Sequence, residues 1–255
     1  MDQPTSSNLF RQHKRHVPKL VQREWTLIVD GFCDQALTLN YTMLSDFEAT
    51  VLTDFFICID HGVDIPRADV VQWRGISWQT IEPLVRPAST VTHANIHSAD
   101  GYAVAIPLNQ LREGIIATHL NNKALPDVHG GPARLVFGGV YGQYQPKWIQ
   151  HIILTDSPIS DDPVLSALPT AIALESRQLV RFGEAIHIEG KTNAPKVEIS
   201  IDGGPWNPTT VRDMVWFTDW TPPSAGHYRL VVRAANIDGY QPEATQPVIQ
   251  VEVLA

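Results

Sequence analysis

The chain has 255 residues, 44% of them hydrophobic and 18% charged, with a formal net charge of -8 and a pI of ≈ 5.6. That length bounds it to one large domain or two smaller ones and is enough to bury a core, while the ordinary apolar content argues against disorder. The acidic balance argues against nucleic acid as the main partner; no stretch approaches the roughly 18 uncharged apolar residues of a membrane span; and two cysteines, Cys33 and Cys58, exclude a disulfide-stapled scaffold or a multi-cysteine metal knuckle.

The first residues, MDQPTSSN, contain no apolar stretch of the secretory kind, so the expected compartment is the cytoplasm, or the periplasm if a leader has been removed. Next comes a basic cluster of Arg11, His13, Lys14, Arg15, His16, Lys19 and Arg23. It reads either as a solvated face or as a docking site for an anion such as a phosphate. WTLIV (25–29) reads as a strand running into the turn dipeptide Asp30-Gly31, and ALTL (36–39) as the strand after it. Residues 51–59, VLTDFFICI, are rich in β-formers and suit a strand buried on both faces. Short helices are predicted over Thr42 to Phe47 and Trp78 to Val85, and further strands over 103–107, 135–140 and 147–154.

Composition changes after Thr155. The segment 156–170, DSPISDDPVLSALPT, has three prolines, three aspartates and no period, and reads as a linker. Beyond it, 196–201, 228–232 and 249–253 alternate polar and apolar residues, and Asp202-Gly203-Gly204 supplies a tight turn. Several short strands in about 85 residues predict a two-sheet sandwich of immunoglobulin type.

Few residues suggest chemistry on spacing alone. Cys58 ends an apolar strand, and His61 follows three residues later. A buried cysteine is either a small inert hydrophobe or a thiolate ligand or nucleophile at a strand's end. One Cys-x-x-His pair has no second half for zinc, and Cys33 beside a turn reads as structural. His93 and His97 sit on strand and loop, which does not suit a metal pair. No Gly-x-Ser-x-Gly elbow, Walker loop or dinucleotide fingerprint is present. The run His129-Gly130-Gly131-Pro132-Ala133-Arg134 fixes an unusual backbone path between a histidine and an arginine. It is either a cradle for a phosphate or polar heterocycle, or a turn into the next strand.

Several stretches resemble, in order, the sulfite oxidase-like molybdopterin oxidoreductases. FFICIDHG (55–62) followed by Gln72-Trp73-Arg74-Gly75 is similar to that family's strand with the molybdenum-ligating cysteine. HSADGYAVAIPL (97–108) and LNNKALPDVHGGPARLVFGGVYGQYQPKWIQHI (120–152) are similar to its later segments, the second being the most specific. VEISIDGGPWNP (197–208) and VVRAANIDGYQPEATQP (231–247) resemble its β-sandwich dimerisation domain. The resemblance implies an α+β fold, with a mixed molybdopterin-binding domain over 1–157, a linker over 158–167 and an immunoglobulin-like domain over 168–255.

It also implies a molybdenum cofactor, with Cys58 as the metal's thiolate ligand and Tyr102 near its oxo group. His61 would stand in the place of a family asparagine as a second catalytic candidate. Arg11, His13, His129, Arg134 and Lys147 would be the cofactor contacts, giving the early basic cluster a purpose. The implied activity is oxygen-atom transfer to or from a small substrate, with an electron donor or acceptor as partner and a possible homodimer through the last domain. Two departures bear on this. Val63 stands where sulfite oxidases carry a substrate-binding arginine, and Tyr144-Gln145 replaces a basic residue and a serine before Lys147. They make sulfite doubtful as substrate and keep two other readings open: a non-catalytic scaffold that still binds the cofactor, and an interaction module.

Overall fold

The computed structural model describes residues 16–58, 67–160 and 169–255. The chain divides into two compact units, Met1–Phe56 with Val71–Ser166, and Ile57–Val70 with Ala167–Ala255.

In chain order, the first part holds β1 (Thr26–Gly31), β2 (Leu37–Asn40), α1 (Tyr41–Asp46), β3 (Thr50–Cys58), β4 (Arg67–Ser77), α2 (Trp78–Val85), β5 (His93–Ser98) and β6 (Ala103–Pro107). It continues with α3 (Leu108–Arg112), β7 (Ile115–Leu120), β8 (Lys123–Ala124), β9 (Arg134–Val136) and β10 (Ile149–Thr155). One sheet runs β2-β1-β10-β5-β6, and a second runs β3-β4-β7-β8 with β9 also on β7. Within the first, β1 pairs with β10 in parallel, Ile28 opposite His151, and the other pairs are antiparallel.

Period-two burial explains the layering. Leu27 and Val29 on β1 are fully buried while Ile28 between them is exposed, so that sheet presents one apolar face. The second sheet is apolar on both faces. Ile116, Leu135 and Phe137 join the main core, while Ile115, Ala117 and Val136 join Phe56, Val71 and Trp73 in a smaller one.

Two of the three helices, α1 and α2, start where short polar side chains cap them, whereas α3 follows Pro107, which makes no cap bond. Asn40 accepts the Met43 N–H at 2.9 Å and Ser77 accepts the Gln79 N–H at 3.2 Å. All three are one or two turns long, and the chain is mostly β, 50% strand against 14% helix. The α+β label expected from sequence therefore overstates the helices, which connect strands rather than form a layer.

Two strand boundaries also differ from expectation. The strand predicted over 135–140 stops at Val136, because side chains take over the backbone groups that a neighbouring strand would have bonded. Gln145 Oε1 accepts the Phe137 N–H, Gln145 Nε2 donates to Val140 O, and Asp54 Oδ1 accepts the Gly139 N–H. The strand predicted from Lys147 begins at Ile149, since Trp148 has a φ of 51°. The first residues of the expected linker are fastened to β5 and β6. Asn95 donates to Ser157 O and accepts the Ile159 N–H, and Ser160 Oγ accepts the Ala105 N–H.

The second part holds β11 (Ala171–Ala173), β12 (Arg177–Arg181), β13 (Ile186–Thr192), β14 (Lys196–Ile201) and β15 (Asn207–Pro208). After these come β16 (Thr210–Arg212), β17 (Val215–Trp220), β18 (Gly226–Asn236), β19 (Gly239–Tyr240) and β20 (Val248–Leu254). They form two sheets, β11-β13-β17-β16 and β12-β20-β18-β14-β15, with β19 on β18. Ile188 and Trp216 from one sheet share a core with Ile199, Leu230 and Val251 from the other.

Candidate functional site

The centre of the candidate site is Arg134, on β9. Alternation sends Leu135 to the main core and leaves Arg134 and Val136 on the opposite face of the strand. There the guanidinium carbon lies 5.1 Å from the Phe56 ring centroid and 5.0 Å from that of Trp73, whose rings meet edge to face. Arg134 donates to the carbonyls of His129 at 3.0 Å and Gln145 at 2.8 Å. It is 2% exposed, and burial pulls its pKa down to about 9, which leaves it cationic at neutral pH. Its Nε and the Trp73 indole Nε1 are buried donors without a hydrogen-bond partner among the described residues.

The histidine–glycine loop that leads to Arg134 is held against the Lys147-Trp148 pair. Residues Asp127–His129 form one turn of 3-10 helix, and Gly130 follows with a φ of 107°. A Cβ on Gly130 would come within 2.8 Å of Lys147 Cβ, and one on Gly131 would collide with the Leu125 carbonyl, so both positions need glycine. Trp148 donates its indole N–H to Asp127 O at 2.7 Å and its backbone N–H to Gly130 O at 3.2 Å. Lys147 Nζ donates to Val128 O at 3.3 Å and lies 4.5 Å from the Trp148 ring centroid. His129 is buried, and its carbonyl accepts from Arg134.

Tyr102 is half-buried just before β6. Its backbone N–H reaches Asp100 Oδ1 and its hydroxyl donates to Gln143 O at 2.7 Å. Burial, with smaller contributions from Tyr144 and Asp100, pushes its pKa to about 12, so it is a neutral phenol at physiological pH. Gln145, which the sequence marked only as a departure, is 1% exposed and closes the 137–145 loop with both ends of its amide.

Cys58 is the last residue of β3, two positions past Phe56. Arg11, His13, His61 and Val63 lie outside the described residues. Arg74 follows Trp73 on β4 opposite His119, and acts electrostatically on His119 and Tyr41, away from the Trp73 face. Cys33 keeps a structural setting, with Sγ donating to Gln35 O. Among the described residues no three His, Cys, Asp or Glu side chains gather for a metal ion.

Phe56, Trp73 and Asp54 were not singled out as site residues by sequence reasoning. For Asp54 the signal was present, since a carboxylate in an otherwise apolar strand needs a reason. It is 3% exposed; Oδ1 accepts the Gly139 N–H at 3.0 Å, Oδ2 has no partner among the described residues, and burial lifts its pKa to about 6.

Comparison with known proteins bears on this arrangement. A family model described as the oxidoreductase molybdopterin binding domain matches residues 14–163. The chain belongs to that family. It is one of the sulfite oxidase-like molybdopterin oxidoreductase family, whose cofactor is molybdopterin. It is 24% identical over 207 residues to the nitrate reductase (NADPH) of Fusarium oxysporum, covering 67% of this chain and 22% of that protein. With the nitrate reductase (NADPH) of Aspergillus niger it shares 26% identity over 207 residues, covering 67% of this chain and 23% of the relative. The chain thus spans less than a quarter of the length of these relatives. The crystal structure of the sulfane dehydrogenase SoxCD from Paracoccus pantotrophus shares its fold, with a TM-score of 0.79 at 18% identity over 92% of this chain and 73% of that one.

The residues present fit the cofactor of this family. Two buried donors without a partner among the described residues, a buried guanidinium and a nearby ammonium suit an anionic ring system rich in acceptors.

Proposed function

We propose that the chain catalyses oxygen-atom transfer on a small substrate, with Cys58 as the thiolate ligand of molybdenum. The observation that carries this reading is the pair of orphaned donors, Arg134 Nε and Trp73 Nε1, beside the glycine loop. An unpaired buried donor costs about 1–3 kcal/mol, and a bound acceptor removes that cost. Arg134 Nε, Trp73 Nε1 and Lys147 would hold the cofactor's polar edge and charge, and His129 would close the pocket beside them. A soft thiolate suits the metal. When bound, the cofactor supplies two-electron redox chemistry coupled to transfer of one oxygen atom. Tyr102 would stay protonated, exchange its bond to Gln143 O for one to a substrate oxygen, and so orient it. Arg11, His13 and His61 complete the proposal as phosphate contacts and a group beside Cys58.

The reading extends to three finer points. Sulfite is a doubtful substrate, because Val63 replaces an arginine and Arg74 lies on the other face of β4 from Trp73. The second unit is immunoglobulin-like and supports a homodimer. An external electron carrier completes the cycle.

Metal analysis tests the core of the proposal. Protein purified from a molybdenum-replete, cofactor-competent host should hold molybdenum near one equivalent per chain. Protein without it from such a host would favour the interaction module, and molybdenum-loaded protein without oxygen-atom transfer would favour the non-catalytic scaffold.

A further inference from the structure

Gln145 closes a loop on which two residues of the candidate site lean, and each of its polar atoms has a partner. Side-chain Oε1 accepts the Phe137 N–H at 3.3 Å and Nε2 donates to Val140 O at 2.7 Å, so the amide stands in for a neighbouring strand. The backbone N–H donates to Gly142 O at 3.2 Å, and the carbonyl accepts from Arg134 at 2.8 Å. The residue is buried.

Between Val140 and Gln145 lies a single turn of 3-10 helix, Gly142–Tyr144. Its backbone bonds run from the Tyr144 N–H to Tyr141 O and from the Gln145 N–H to Gly142 O. Gln143 O takes no part in them and accepts the Tyr102 hydroxyl instead, at 2.7 Å. The carbonyls that hold Tyr102 and Arg134 therefore sit two residues apart on one turn. The residues they hold come from different sheets, Tyr102 from the segment before β6 and Arg134 from β9. The far end of the loop is tied to β3, where Asp54 Oδ1 accepts the Gly139 N–H. So short a 3-10 turn has few bonds of its own, and its place is set by what closes it.

We infer that Gln145 is a positioning residue, which through the Gly142–Tyr144 turn sets the place of both the Tyr102 hydroxyl and the Arg134 guanidinium. The inference rests on the roles proposed above for those two residues and deepens them. It needs an amide at this position. Phe137 requires an acceptor and Val140 a donor, and of the uncharged side chains of this length only glutamine offers both. Methionine keeps the length of the side chain and makes neither bond of comparable strength. The loop would then lose its closure, and the carbonyls of Gln143 and Gln145 would lose their fixed places together.

The test uses the full chain without cofactor, labelled with fluorotyrosine and nitrogen-15 arginine, and reads the Tyr102 fluorine and Arg134 Nε–H resonances. Gln145→Met should move both, while the fluorine resonances of Tyr41 and Tyr228 stay in place and so report an intact fold. In the molybdenum-loaded chain the same variant should lower turnover by up to about 10²-fold, the cost of misplacing site groups by about 1 Å. In the parent chain the Phe137 amide and the Gln145 side-chain amide should exchange hydrogen slowly, a measurement that does not depend on any variant folding. The inference fails if neither resonance moves, or if only one of the two does, since Gln145 would then not couple them. It also fails if those two amides of the parent exchange as fast as exposed ones. A loaded parent chain without oxygen-atom transfer would overturn the proposed function instead, and the resonances would still decide what Gln145 positions.

Discussion

Arg134 and Trp73, 61 positions apart in the chain, meet with the guanidinium carbon 5.0 Å from the indole centroid. The contact joins β9 to β4, and Phe56, which touches both, joins it to the strand that ends at Cys58. Arg134 is therefore part of the apo-chain's own packing, not only a contact waiting for cofactor. Sequence alone suggests that Arg134→Ala lowers cofactor occupancy more than it lowers the stability of the apo-chain. The structure adds that the loss of apo stability is itself large. Losing the guanidinium strands the His129 and Gln145 carbonyls and opens a cavity against the Phe56–Trp73 pair, at a cost of about 2–5 kcal/mol. Urea unfolding of the apo-protein checks the loss of stability and molybdenum content the loss of cofactor. An apo-chain as stable as the parent would show that Arg134 does not brace the fold.

Asp54 gives a pH signature. Its pKa is lifted from 3.8 to about 6 by burial, so the folded chain holds a proton that the unfolded chain has released. Below about pH 4 both states are protonated and the residue costs nothing. As pH rises to about 6 the folded carboxyl must ionise in its buried site, and stability falls by on the order of 3 kcal/mol. Above about pH 6 the full cost remains. Asp54→Asn keeps an acceptor for the Gly139 N–H and removes the charge. Chemical denaturation of the two chains between about pH 4 and pH 7 should show a falling stability component in the parent that the Asn variant lacks. Parallel pH dependences would contradict this.

β1, β2, β3, β6 and β10, β14, β18 and β20, and the helices at 41–46 and 78–85 were legible from apolar runs, alternation or a capping residue, whereas β4, β7, β13 and β17 were not predicted. The glycine loop was legible as a fixed backbone path. What it approaches was not, because the Gly130–Lys147 proximity comes from backbone bonds between the irregular stretches 130–135 and 146–149, which no periodic pattern encodes. Gln145 shows the same limit from the other side. Set against the family pattern it looked like a weakened cofactor site, whereas its amide closes the 137–145 loop that a longer β9 was expected to fill. Residue type indicated a polar group there, and only the fold showed that its partners are backbone atoms.

The two cysteines should behave differently. Cys58→Ser offers a hard, poorly acidic hydroxyl in place of thiolate, so it should leave thermal stability near that of the parent and abolish oxygen-atom transfer. Full activity in that variant would remove Cys58 from the metal. Cys33 has its thiol pKa raised, first by burial, and its Sγ donates to Gln35 O. A serine hydroxyl can make the same bond, so Cys33→Ser should change stability by less than about 1 kcal/mol and activity not at all.

The last prediction concerns the substrate. A buried dianion needs a cationic partner, since leaving it unpaired costs several kcal/mol. Val63 occupies the place of the sulfite-binding arginine, and no arginine stands between residues 59 and 66. Arg74, a nearby replacement in sequence, is on β4 opposite His119, where it acts on His119 and Tyr41. Arg134 is packed against two rings with two of its nitrogens on backbone carbonyls, so it is not free to follow an anion. Sulfite should therefore be a poor substrate, and an uncharged S- or N-oxide should be handled better. Steady-state kinetics of the molybdenum-loaded protein with a generic electron carrier compare the two. A sulfite KM in the micromolar range, with turnover within the usual enzyme range of about 1–10³ s⁻¹, would show that another cation has taken the arginine's place.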